Sequence, residues 1–164
     1  MRHLREGFSS GNEHLVGLLR QAADGPAQRV AAGCWSAAQV GWHVASVNTR
    51  FAALMSGDSP GAKSLADDFV ETPWGEIVSR IPGQLDAPSA VRPPAGVTRH
   101  DSIAALEASA LKMARALDTL TPERGMKLGV TNPLVGTINL YQLGDWAVSH
   151  VVRHYRQAER ALGE

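Results

Sequence analysis

The run Asp145-Trp146-Ala147-Val148-Ser149-His150-Val151-Val152-Arg153-His154-Tyr155-Arg156-Gln157-Ala158-Glu159-Arg160 decides how this chain folds. Wrapped at 3.6 residues per turn, it brings His154, Leu143, Trp146, Ala147, Gln157 and Ala161 within about 60° of His150. Asp145, Arg156, Glu159 and Arg160 fall outside that sector. The segment therefore reads as an amphipathic helix from about Asn139 to Leu162, and its core-facing stripe carries two imidazoles one turn apart. An unpaired polar group in a core costs a few kcal/mol, so both rings need partners. A shared divalent metal would supply one, since imidazole is the commonest protein ligand for such ions. Hydrogen bonds to carbonyls or side chains would serve as well, and these residues alone leave both readings open.

Outward from that helix, three more can be placed. Ser36 followed by Gln39 forms a capping box, with Trp35 and Val40 set to close a hydrophobic staple. Behind it Val40, Val44, Val47, Phe51, Leu54 and Met55 recur at steps of three and four up to Gly57, and His43 sits on the margin of that face. An earlier helix spans about Ser10 to Ala23, with Leu15, Leu18, Leu19 and Ala22 on one side, and stops at Asp24-Gly25-Pro26. Another follows Asp101 with Ile103, Leu106, Ala110, Met113, Leu117 and Leu120, and ends at Thr121-Pro122. Residues 58–98 are rich in Pro and Gly and read as a long crossover, with one short helix opened by Thr72-Pro73 and carrying Trp74, Ile77 and Val78. No segment reads as a strand: Val130 to Leu140 has β-branched residues but is broken by Pro133 and Gly136. The expectation is an all-α antiparallel four-helix bundle, one domain over residues 1–164, with the crossover between its second and third helices.

Composition narrows the classes of function. Sixteen Lys and Arg balance sixteen Asp and Glu, and no basic stripe offers the electrostatic footprint of a nucleic-acid binder. Cys34 is the only cysteine, so no disulfide forms within the chain, and a reducing, cytoplasmic setting is expected. No apolar run is long enough to span a bilayer, and Met1-Arg2-His3-Leu4-Arg5-Glu6-Gly7-Phe8 lacks the apolar stretch of a signal peptide.

Trp35-Ser36-Ala37-Ala38-Gln39-Val40-Gly41-Trp42-His43 resembles the Trp-Ser-x-x-x-Val-x-x-His signature of the DinB-like (YfiT-like) superfamily. Pro133-Leu134-Val135-Gly136-Thr137, the helix after it and the His150-x-x-x-His154 pair resemble that superfamily's C-terminal part, in the same order and spacing along the whole chain. The resemblance implies an up-down-down-up bundle, often a homodimer, holding zinc or nickel on His43, His150 and His154. It also implies an enzyme in which the metal activates a small thiol or water for attack on a small electrophile, as a thiol S-transferase or hydrolase. A low-molecular-weight thiol would then be the cosubstrate. The alternative is a non-catalytic metal- or ligand-binding module of a stress response, and no motif selects a substrate.

Several residues around the histidines are candidates for orienting a ligand or lining a pocket. Gln157 lies one turn beyond His154, Asn48 follows His43, and Trp146 and Trp74 are expected at the pocket. Gln39 is read as the capping residue, Cys34 as a small buried hydrophobe, and His3, His14 and His100 as surface residues. Tyr141, Val148, Val152 and Tyr155 make a second apolar stripe on the last helix, which needs a cover: a second copy of the chain or the crossover folded over it.

Overall fold

Capping chemistry sets the helix ends. The computed structural model describes residues 2–31, 33–83 and 85–163. It contains the helices α1 (Arg2–Gln21), α2 (Asp24–Gln28), α3 (Ala37–Ser56), α4 (Trp74–Ser79), α5 (Arg99–Thr119), α6 (Pro122–Lys127) and α7 (Leu140–Leu162). The capping boxes Ser36–Gln39, Thr98–Asp101 and Asn139–Gln142 open α3, α5 and α7. Gly57 and Gly163, both at φ 89°, close α3 and α7 in the left-handed conformation that glycine adopts without a Cβ clash.

The four long helices form the bundle. α1 and α3 each pack against both α5 and α7. Leu4 meets Gly144, Gly7 meets Val148 and Gly11 meets Val151, so α1 and α7 run in the same direction. Gly41 meets Ser102 and Leu106 while Phe51 stacks on Trp146 and Met55 meets Gly144. α3 therefore runs against α7; Arg5 pairs with Asp118 and Arg20 with Glu107, so α5 runs against α1 and in the same sense as α3. Gly41 is where α3 and α5 approach most closely: a Cβ there would overlap the Ser102 hydroxyl and crowd Leu19 and Leu106. Leu15, Leu19, Val40, Val44, Met55, Leu106, Met113, Leu143 and Val151 fill the centre, each fully buried. Such a side chain contributes about 1.5–3 kcal/mol of hydrophobic transfer.

The structure corrects the sequence reading at three places. α1 begins at Arg2 instead of near Ser10. Leu4, Phe8, Gly11 and Leu15 continue the buried face, but the glycines hid that periodicity while letting α7 pack close. A small sheet is also present, in the order β1 (Lys63–Ser64), β2 (Leu128–Asn132), β3 (Gly136–Asn139). β2 and β3 form a hairpin with Val130 opposite Ile138 and Asn132 opposite Gly136. Pro133 and Gly136, taken as interruptions, belong to the hairpin connection and its edge, where Gly136 has φ 75°. Third, much of the second apolar stripe of α7 is covered from within the chain. Val148 packs on Gly7 and Tyr141 on Gly125, while Val152 stays 40% exposed. Among the described residues no helix is long and apolar enough to cross a membrane.

Candidate metal centre

The antiparallel packing of α3 on α7 carries His43 to the pair one turn apart on α7. Ring centroids lie 4.3 Å apart for His150–His154, 4.8 Å for His43–His154 and 5.2 Å for His43–His150. One nitrogen from each ring can be chosen so that all three lie within 4.8 Å of one another. Two imidazole nitrogens on one tetrahedral zinc sit about 3.3 Å apart, so the trio needs only a modest contraction to share an ion.

Hydrogen bonds set the state of two of the three rings. His43 Nδ1–H donates to the Val91 carbonyl at 2.8 Å, and because a carbonyl can only accept, Nε2 keeps its lone pair. His154 Nδ1–H donates to Gln157 Oε1 at 2.7 Å, with the same consequence. His150 Nδ1 is enclosed and has no hydrogen-bond partner among the described residues. Such a group costs about 1–3 kcal/mol unless something meets it. Two anchored imidazoles, each with its Nε2 lone pair free of the bond at Nδ1, beside a third ring with an unmet nitrogen are a donor set that fits a divalent transition metal.

Electrostatics favour the same state. Burial, partly opposed by the Val91 carbonyl, lowers the pKa of His43. Burial, then the charges of His154, His43 and Arg153, holds His150 well below the ordinary histidine value. Burial, then the charge of His43, brings His154 down to about 4, against the opposing bond from Gln157. All three rings are therefore neutral at pH 7, the form that ligates metal.

The crossover is tied to both helices that bear the trio. Val91 holds His43, and Arg50 on α3 donates to the Ala90 carbonyl at 3.3 Å. On α7, Ser149 accepts from Trp74 Nε1 at 3.1 Å, and Arg153 donates to the carbonyls of Pro82 and Gly83 at 3.1 and 2.6 Å.

Of the residues singled out from sequence, Gln157 meets His154, and Trp74 donates to Ser149, the residue that precedes His150 in α7. Trp146 stacks on Phe51 at 5.1 Å, one turn before His150. Gln39 completes the capping box and also donates to Pro94 O. Asn48 is fully buried, bonds none of the three histidines, and neither amide atom has a hydrogen-bond partner among the described residues. Cys34, expected to be buried, is exposed, because it lies in the turn before the α3 cap and outside the helix packing. His3, His14 and His100 are exposed as expected. Two contacts escaped the sequence. The ring of Trp35, the expected staple residue, also lies 4.9 Å from that of His43. The Val91 carbonyl is a backbone group in a Pro-rich segment and carries no side-chain signal.

The family model of the DinB superfamily matches residues 10–158, and the chain belongs to that superfamily. A solved structure, described as the conserved protein of a locus from Enterococcus faecalis, superposes with a TM-score of 0.67. At 14% identity, over 98% of this chain and 94% of that one, it shares the fold. No curated protein matches the sequence.

Proposed function

We propose that His43, His150 and His154 hold one divalent metal ion, zinc or nickel, in an enzyme that transfers a small thiol, or adds water, to a small electrophile. The observation that carries this reading is the unmet, enclosed Nδ1 of His150 beside two imidazoles already anchored from behind. Three protein ligands leave coordination positions open, the pattern of catalytic rather than structural sites. When bound, the ion supplies a Lewis acid that lowers the pKa of a neighbouring thiol or water. The chain's own part is to keep the rings neutral by burial and to fix the tautomers of His43 and His154 through Val91 and Gln157. In thiol transfer the sulfur gives up its proton and bonds to the electrophilic atom, whose leaving group departs with the electron pair and takes up a proton. A cytoplasmic homodimer belongs to the same proposal; it rests on the superfamily resemblance, and sedimentation velocity tests the dimer.

The second reading, a non-catalytic metal- or ligand-binding module, draws on where open space lies. A cavity of about 390 Å³ sits by the small sheet, lined by Lys63, Phe69 and Thr137 among others. Another of about 230 Å³ lies between α1 and α5, lined by Phe8, Asn12 and Leu117 among others. Neither is lined by the histidines.

Elemental analysis of untagged protein purified without chelator tests the first step. The expected result is about one equivalent of metal per chain, abolished by His154→Ala. Less than about a tenth of an equivalent, with no uptake of added zinc or nickel, would remove both metal readings. Turnover of an electrophile by a thiol separates enzyme from module.

A further inference from the structure

In the cleft between α1 and α5, open space meets an enclosed polar group without a partner. Side-chain size explains the space. α5 lines the cleft with Ala110 and Ala114, one turn apart, and two methyl groups leave a cavity of about 230 Å³ against α1. Phe8 and Leu117, both buried, supply the rest of the apolar lining. Among them lies Asn12, only 4% exposed, whose Oδ1 has no hydrogen-bond partner among the described residues. The charged groups at the exposed margin are already engaged: Arg5 pairs with Asp118 at 2.7 Å, and the Ser9 hydroxyl donates to Glu13 at 2.6 Å. A second unpaired amide lies at the same height in the bundle. Asn12 is about halfway between Arg5 and Arg20 on α1, whose partners Asp118 and Glu107 lie on either side of Met113 on α5. Gly41 meets Ser102 and Leu106, so two turns further along the parallel helices Asn48 is level with Ser109 and Met113. Unmet groups of this kind cost about 1–3 kcal/mol each, a cost that a ligand supplying the missing bond would offset.

We infer that this cleft binds a small neutral molecule with an apolar body and one N–H or O–H head. The body packs on Phe8, Leu117 and the two alanine methyls, and the head donates to Asn12 Oδ1. The size fits. An apolar cavity of about 150 Å³ takes up benzene, so the larger volume here admits a ring that bears a head group. A charged head is disfavoured, because an uncharged amide offers it no counter-charge and the ions at the margin already have partners. The site is separate from the histidines, which lie on α3 and α7, and does not depend on their holding a metal.

Benzamide and acetophenone test the inference, since they share a shape and a carbonyl but only the first carries N–H groups. Each is titrated into isotope-labelled full-length protein while the backbone amide shifts are followed by NMR. Benzamide should give saturable shifts at Ser9, Glu13, Ala110 and Ala114 on the two walls of the cleft. It should bind about fivefold more tightly than acetophenone, and that ratio should fall to about one in Asn12→Leu. Equal affinities in the wild type, or a ratio unchanged in Asn12→Leu, would overturn the inference. So would shifts confined to α3 and α7, or no saturable shift by about 20 mM benzamide. If Asn12→Leu fails to fold, Ala114→Leu decides, because it fills the cleft from an exposed position. Loss of benzamide binding in that variant supports the site, and undiminished binding overturns it.

Discussion

The two faces of α3 solve opposite problems. Toward α5 the helix offers Gly41, and the backbones close until Ser102, Leu106 and Leu19 surround the missing side chain. Toward α7 it offers His43, and the neighbouring helix answers with His150 and His154. The first face stabilises the bundle through close packing. The second places three polar rings where apolar ones would pack without an unmet nitrogen, and so lowers stability. That contrast locates function: residues that oppose folding on an otherwise well-packed helix need another reason to be present.

The contrast breaks most sharply on the packed face. Gly41→Leu should cost about 3 kcal/mol or more, because the new side chain has no room between α3 and α5. Urea denaturation measures it, and a loss under about 1 kcal/mol would show that the interface is looser than described.

On the histidine face the lever is pH. In metal-free protein the three rings have folded-state pKa values below the unfolded value of 6.5. Above that value both states are neutral and stability is complete. As pH falls from 6.5 toward about 4, the unfolded chain takes up protons that folded His154 does not. Stability then drops by roughly 3 kcal/mol from His154 alone. Melting temperatures across that range, in chelator, should fall steadily; a flat profile would contradict neutral buried rings.

His150→Leu sharpens the comparison from the other side. It removes the unmet Nδ1 and should raise the stability of metal-free protein by about 1–2 kcal/mol while abolishing metal uptake. Loss of stability without metal would place His150 among the packing residues instead. The smallest effect is expected at the surface: Arg20→Ala, which breaks the exposed pair with Glu107, should change stability by less than about 0.5 kcal/mol.

How much of this was legible in the sequence follows from the kind of interaction involved. The helices were legible because Ser36–Gln39 and the spacing of Val40, Val44 and Met55 are local signals. The two histidines on α7 were legible for the same reason, since i and i+4 share a face. The start of α1 was not, because Gly7 and Gly11 look like helix breakers until Val148 and Val151 are seen to fill the space beside them. The hairpin was missed because Pro133 reads as a stop in a strand and as a natural residue in a turn. The Val91 carbonyl and the arginine bonds to the crossover lie beyond any pattern rule, since their acceptors are backbone atoms of an irregular segment.

The bond from His43 to Val91 has a consequence for how the protein matures. His150 and His154 are preset on a single helix, whereas His43 is fixed only when α3, α7 and the crossover have all docked. A nascent chain emerging from the ribosome offers an isolated imidazole long before it offers the pair. If the trio holds an ion, as proposed, its capture is a late event in biogenesis, and a loaded site certifies that the whole bundle has assembled.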